Sequence, residues 1–244
     1  MIVYFSGTGN SRHVASYLSH RLNESLYMVV DAPQSVSCDV VGVVAPVYSW
    51  GIPPIILEYI RRLTFTALPK YVWVVLCCGD EVGLAHKMIQ RAFLEKGISV
   101  NATMSIQMPN NYVLLPGFDV DSKAVEKSKL NNAPRRLSQI SEIIESSVEV
   151  EDVVMGSMAW LKTTLVYPLF KRWGIFPGKW RVDTRECVKC GMCAEVCPVG
   201  NVKLNQYPVW GANCTSCLAC YHVCGRKAVS YAGATKYKGQ YFHP

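Results

Sequence analysis

Two copies of one cysteine pattern constrain this chain more than any other feature. Cys187-x2-Cys190-x2-Cys193-x3-Cys197 is followed by Cys214-x2-Cys217-x2-Cys220-x3-Cys224, so eight of the eleven cysteines stand at fixed spacings. Steps of three residues carry three thiolates around one turn, and the fourth cysteine opens the next helix and points away from its own run. The pattern predicts crossed ligation of two [4Fe–4S] centres. Cys187, Cys190, Cys193 and Cys224 would hold one, and Cys214, Cys217, Cys220 and Cys197 the other. Zinc sites favour CxxC couples, often with histidine, over two complete four-cysteine runs. Disulfides fit no better. Met1-Ile2-Val3-Tyr4-Phe5 opens the chain without the basic region, apolar run or cleavage site of a signal peptide, so a cytoplasmic, reducing setting is expected. Cys38, Cys77 and Cys78 lie outside the repeat and read as small core residues.

The first hundred residues alternate strand and helix signals. Apolar runs at Ile2–Ser6, Leu26–Asp31, Asp39–Val47, Tyr71–Cys78 and Ile98–Gln107 alternate with helical spacing at Asn10–Leu22, Ile55–Leu63 and Leu84–Leu94. Strands apolar on both faces predict a doubly wound α/β fold with a parallel, five-stranded sheet. Such a sheet binds ligands at the carboxyl ends of its strands. Ser6-Gly7-Thr8-Gly9-Asn10-Ser11 sits there, where glycines turn backbone N–H groups inward and a helix N-terminus adds positive potential. These parts make a phosphate cradle. The lysine-bearing GxxxxGK[ST] loop is absent, and GxGxxG fails because Arg12 stands at the third glycine, although Asp31 could mimic a ribose-binding acid.

The loop resembles the phosphate loop of flavodoxins, and that resemblance, over residues 1 to about 105, implies FMN as cofactor. It assigns two further loops to the flavin. Pro46-Val47-Tyr48-Ser49-Trp50-Gly51 would flank the ring, with Tyr48 or Trp50 stacking, and Cys78-Gly79-Asp80 would meet its pyrimidine edge. Asp80 could also cap the helix that follows. Gly83-Leu84 departs from the family by offering no aromatic for the second flavin face. Residues 185–228 resemble a bacterial-type two-cluster ferredoxin, with Cys224-Gly225 where that family usually has Cys-Pro. The whole chain is similar to flavodoxin–ferredoxin fusion proteins, including the closing Tyr237–Pro244 segment.

Three regions follow: a flavodoxin-like domain over 1–150, a helical, aromatic-rich connector over 151–180, and a small α+β ferredoxin-like domain over 181–244. Leu130, Ala133, Leu137, Ile140 and Ile144 keep helical spacing, and Pro134 suggests that their helix begins near that point. Met155–Trp173 reads as a further helix broken at Pro168. The connector's Trp160, Tyr167, Phe170, Trp173, Phe176 and Trp180 are expected to pack between the domains; the alternative is docking to a partner or a membrane surface, aided by Lys171 and Arg172. Val153–Phe170, interrupted by Lys162 and Pro168, falls short of the roughly 20 apolar residues of a membrane span. His222, between two cluster cysteines, could tune a potential by bonding to sulfur.

Net charge is +7, with 8 basic and 3 acidic residues in 181–244 against 17 and 15 before it. A basic tail ordinarily suggests nucleic acid or anionic lipid. Two clusters at −2 each and a doubly ionised phosphate bring the sum to about +1, so internal anions account for it and no nucleic-acid partner is expected. The resemblance implies electron transfer between FMN, two [4Fe–4S] clusters and redox partner proteins. An FMN-dependent reductase fed by its own clusters and an iron–sulfur regulatory module stay open as alternatives, as does oligomeric state. Catalytic residues are not identifiable from the sequence.

Overall fold

The computed structural model describes residues 1–114, 117–173, 177–232, 235 and 237–243. Its first part carries strands β1 (Ile2–Tyr4), β2 (Leu26–Met28), β3 (Ser35–Ser37), β4 (Val40–Pro46), β5 (Thr64–Ala67), β6 (Tyr71–Cys78), β7 (Ala102–Gln107) and β8 (Val150–Asp152). Helices α1 (Asn10–Leu22), α2 (Pro54–Arg62), α3 (Ala85–Leu94) and α4 (Lys123–Glu145) connect them. β6 is buried along all eight residues, as its unbroken run YVWVVLCC requires of a central parallel strand. The order β2-β1-β4-β6-β7-β8 is parallel throughout. From β1 the chain adds β2 on one side and β4 and the later strands on the other, and this switch in winding opens a crevice at the carboxyl ends of β1 and β4.

Two apolar layers flank the sheet. Val14, Ala15 and Leu18 of α1 pack with Ala133, Leu137, Ile140 and Ile144 of α4 on one face. Ile56, Leu57 and Ile60 of α2 pack with Ile89, Ala92 and Phe93 of α3 on the other. Gly42 on β4 stands opposite Trp73 on β6, and the buried indole lies where a Gly42 Cβ would be. Gly42→Ala should therefore destabilise the fold by about 1–3 kcal/mol through overpacking, read as a lower denaturation midpoint at unchanged slope.

Three expectations are corrected. The sheet has six strands rather than five, because β8 adds to β7 and crosses residue 150. α4 begins at Lys123, capped by Ser122, rather than near Pro134. Pro134 lies on its exposed side, where the carbonyl left without a partner reaches water. The connector also continues through Pro168: α5 (Ala159–Leu161) passes through a π segment (Lys162–Val166) into α6 (Tyr167–Trp173). Pro168 offers no N–H to the preceding turn, and the helix is widened immediately before it. Phe176 lies outside the described residues.

In the last part, β9 (Trp180–Val182) pairs antiparallel with β12 (Val229–Tyr231), and β10 (Val202–Leu204) with β11 (Pro208–Trp210). Short helices α7 (Met192–Glu195) and α8 (Ala219–His222) carry the third cysteine of each run, and the fourth follows that helix rather than opening another. The sequence repeat is also a backbone repeat. Positive φ at Lys189, Gly191 and Gly200 recurs at Ser216, Leu218 and Lys227, the same places in the second run.

Candidate functional site

β1 ends at Tyr4, and Phe5 to Gly9 form a loop across the crevice, buried except at the half-buried Gly7, that leads into the buried Asn10 and Ser11 of α1. Gly9, at φ +99°, makes the turn into α1, and its N–H donates to Ser6 Oγ at 3.2 Å. Ser11 is 1% exposed. Among the described residues its hydroxyl has no hydrogen-bond partner, its polar neighbour being the Cys77 thiol. A buried hydroxyl with unused capacity at a helix start is what a bound phosphate would satisfy.

The second loop is a tight turn. Tyr48 and Gly51 exchange backbone hydrogen bonds at 2.8 and 3.0 Å, with Ser49 at φ +46° and Trp50 at φ +62°. Two left-handed non-glycine residues in succession are a strained arrangement, held here from behind by the connector. Thr163 Oγ1 donates to the Trp50 carbonyl at 2.8 Å, and the Tyr167 hydroxyl donates to the Ile52 carbonyl. The Tyr167 ring fills the space beside Gly51. Trp50 Nε1 donates to Glu81 Oε1 at 2.8 Å, and Lys162 pairs with the same carboxylate. Tyr48 turns the other way, and burial, with the nearby Cys217 and Cys214 thiols, pushes its phenol well above the usual range.

In the third loop, Cys78 Sγ reaches the Ile106 carbonyl at 3.7 Å, and burial raises the thiol to about 12. Gly79 has no room for a Cβ because Asn110 Oδ1 lies against it. Asn110 Nδ2 donates to Asp80 at 3.0 Å and to Asp121 at 3.2 Å, and Lys129 pairs with both carboxylates. Asp80 does not cap α3, which starts at Ala85 after Leu84.

These loops meet in one cleft at the carboxyl edge of the sheet. Ser6, Gly7, Thr8, Asn10, Ser11, Pro46, Val47, Tyr48, Ser49, Cys78 and Gly79 all line it. A wider opening beside it shares Val47, Ser49, Cys78 and Gly79 and adds Trp50 and Asp80. Gly9 and Gly51 act from behind the walls. Four contributions were not foreseen. Asn110, Asn111 and Tyr112 follow β7 at the same sheet edge, and Phe170 comes from α6. Tyr112 packs edge-on to Phe170 and Phe118 at 5.7 and 5.8 Å, supplying aromatic cover that Gly83-Leu84 lacks. Position after the last buried strand was the available signal for residues 109–112.

The fourth wall is the cysteine domain itself. Ser216, Cys217 and Leu218 line the cleft, and the Cys217 carbonyl and Cβ occupy the place of a Gly7 Cβ. Gly7 thus permits close contact between the two parts. Ser216 Oγ, also buried, has no hydrogen-bond partner among the described residues. The last residues return to the first loop: Tyr241 Oη donates to Asn10 Oδ1 at 2.7 Å, and His243 N donates to the Thr8 carbonyl at 2.7 Å. His222 bonds no sulfur. Its Nδ1 accepts from Tyr241 N at 3.1 Å, which makes Nε2 the donor to the Asn111 carbonyl at 2.7 Å.

None of the eleven cysteines forms a disulfide. Among the described residues no three Cys, His, Asp or Glu side chains close to the spacing of a single ion. The thiols instead form wider neighbourhoods: Cys224 and Cys190 lie near Cys193, and Cys217, Cys214 and Cys197 lie near Cys220, close enough to act on it electrostatically. Asn201 N donates to Cys197 Sγ at 3.2 Å, Ser216 N to Cys214 Sγ at 3.4 Å, and Trp210 Nε1 to Cys220 Sγ at 3.4 Å. Donors aimed at sulfur, in a fold with left-handed turns among the cysteines, fit the charge of a thiolate-bound iron–sulfur centre.

Residues 1–110 match the flavodoxin domain model, and residues 180–203 match the 4Fe-4S binding domain model. The chain joins a flavodoxin domain to a 4Fe-4S binding domain. The second match spans the run Cys187–Cys197 and stops before Cys214. Among solved structures, the flavodoxin domain is similar to Fusobacterium nucleatum flavodoxin bound to flavin mononucleotide, with 13% identity, 60% of this chain and 96% of that chain covered, and TM-score 0.39. It is similar to a Streptococcus pneumonia TIGR4 flavodoxin at 16% identity, with 60% and 97% covered and TM-score 0.37. A Bacillus subtilis Trp repressor binding protein aligns at 13% identity, with 59% and 97% covered and TM-score 0.40. No curated protein matches the chain. The two domains together imply FMN and 4Fe-4S redox chemistry, and among the described residues no helix is long and apolar enough to cross a membrane.

Proposed function

We propose that this protein is an electron carrier that moves electrons between FMN and two [4Fe–4S] clusters, and thence between redox partner proteins. One observation carries the reading: the loop with Cys214 and Cys217 forms a wall of the same cleft as Ser6–Ser11 and Tyr48. FMN, when bound, exchanges one or two electrons, and a cluster exchanges one. Ser6, Thr8, Asn10 and Ser11 would hold the phosphate, with Gly7 and Gly9 shaping the loop. Tyr48, Trp50 and the residues around them would bound the ring, with Cys78, Gly79 and Asp80 at its edge. The neighbours of Cys193 and Cys220 support crossed ligation, with Cys224 serving the first run and Cys197 the second. That would put the second run's cluster beside the flavin and the first run's cluster on the far side.

Anaerobic purification with iron, sulfide and flavin assayed per chain tests the cofactor set. About eight irons and one FMN are expected from two four-iron clusters. Zinc in place of iron, or iron without flavin, would overturn it. Direct transfer is tested by reducing the clusters and following flavin absorbance: the rate should not vary with protein concentration. Ser11→Ala should leave the iron unchanged and weaken FMN about 10- to 100-fold, the worth of one hydrogen bond to a charged group, read by fluorescence titration.

The opening beside the cleft, lined by Trp50, Glu81, Tyr112, Phe118 and Lys162, favours a second reading, an FMN-dependent reductase of a small substrate. Turnover of an added acceptor that saturates, and that falls when Phe118 is enlarged to Trp, would distinguish it from a carrier.

A further inference from the structure

The connector helix is apolar on faces that it does not bury. From the π segment onward it turns Thr163, Tyr167 and Phe170 inward, against the second flavin loop and Tyr112. Leu165 and Leu169, two places further along, fall opposite Thr163 and Tyr167 and are 52% and 48% exposed. Met158 and Trp160, at the helix start, are each 65% exposed. Packing between the domains therefore explains Tyr167 and Phe170 but not Trp160. A surface helix of a soluble domain would be expected to carry polar residues at the outward positions.

Charge is as uneven as hydropathy. From Val153 to Val182 the sequence has five basic residues, Lys162, Lys171, Arg172, Lys179 and Arg181, and no acidic one. Lys162 is engaged by Glu81, Lys171 lies over the Tyr167 ring at 5.1 Å, and Arg181 donates to the Gly178 and Trp180 carbonyls; Lys171, Arg172, Lys179 and Arg181 all keep exposed surface. Cofactor anions elsewhere offset the net charge of the chain, but they leave this stretch one-signed. An acidic protein would answer the cations and leave the outward Met, Leu and Trp side chains without a match. An anionic bilayer answers both, since its headgroups attract Lys and Arg while its interface accepts Trp and aliphatic chains.

We propose that the outward face of residues 158–172 docks the protein reversibly onto an anionic lipid surface. The helix would lie in the plane of the interface, with Trp160, Leu165 and Leu169 inserted and Lys171 and Arg172 among the headgroups. Lys162 and Val166, on the same helix, border the opening beside the flavin cleft, so docking would bring that opening to the lipid surface.

The test is flotation of the anaerobically purified full chain with vesicles of phosphatidylcholine alone or of equal phosphatidylcholine and phosphatidylglycerol. Binding at least tenfold tighter to the anionic vesicles, lost in high salt, is expected. Leu165→Ser with Leu169→Ser, and separately Lys171→Glu with Arg172→Glu, should each lower it at least tenfold while iron and flavin content stay unchanged. Quenching of tryptophan by brominated lipid should disappear in Trp160→Tyr. Absence of anionic-vesicle binding at low salt by the wild-type chain would overturn the proposal. So would a wild-type dimer in sedimentation that the leucine variant turns to monomer without any vesicle binding, since the face would then join two copies. Cofactor content is assayed separately, so failure here leaves the electron-carrier reading standing.

Discussion

If the chain carries the two proposed clusters, Cys197→Ala should remove about four of the eight irons, and the cluster lost should be the one held by Cys214, Cys217 and Cys220. The sequence distance argues otherwise, because Cys197 belongs to the first run. Placement in the fold supports the crossing: Cys197 lies near Cys220, and Cys224 lies near Cys193. Removing one of four thiolates opens a corner of the cluster to solvent. EPR of the reduced variant should show one signal in place of two interacting ones. Flavin reduction by the surviving cluster should slow sharply, because the wall shared with the flavin cleft is built by the second run. Cys187→Ala makes the comparison: it should remove the other cluster and leave transfer to the flavin largely intact. Equal behaviour of the two variants, or loss of the first run's cluster in Cys197→Ala, would refute crossed ligation.

Gly7→Val should separate the domains without unfolding either. The new side chain would overlap the backbone carbonyl and Cβ of Cys217, and a backbone cannot turn aside as a flexible side chain can. The cost, about 1–3 kcal/mol for overpacking, would be met by lifting the second cysteine run from the first loop. Each cofactor should remain bound at near-normal content. Flavin reduction by the clusters should slow by about a hundredfold, on the scale of what an ångström of misplacement does to closely positioned groups. Mild proteolysis in the connector should become faster. A variant that keeps wild-type transfer rates would show that the contact at Gly7 is incidental.

Both predictions depend on residues whose types were legible and whose setting was not. The repeat was fully written in the cysteines, and it returns as backbone conformation at Lys189 and Ser216, Gly191 and Leu218, Gly200 and Lys227. β6 was equally plain, since only a strand covered on both sides can be YVWVVLCC from end to end. β8 was hidden because Val150, Glu151 and Asp152 are a short polar edge segment with no burial pattern to betray it. Gly7 was read as a turn-former, and nothing local indicates that Cys217 would press on it. Tyr112, Phe170 and Ser216 reach the cleft, and Tyr241 reaches Asn10, only through tertiary contact. Trp160 and Leu165 carry hydrophobicity in the sequence, but only the fold reveals that nothing in the described chain covers them.

The return of the last residues to the first loop has a consequence for biogenesis. Asn10 and its partner Tyr241 are 231 residues apart, and Thr8 waits slightly longer for His243. Synthesis is vectorial and domains fold as they emerge, so the sheet can form while the cysteine runs are still being translated. Its first loop, however, has neither of these latches until both runs have left the ribosome. The first loop is thereby finished only together with the cysteine domain: a chain stalled or clipped before residue 241 can own a complete sheet and still lack both latches.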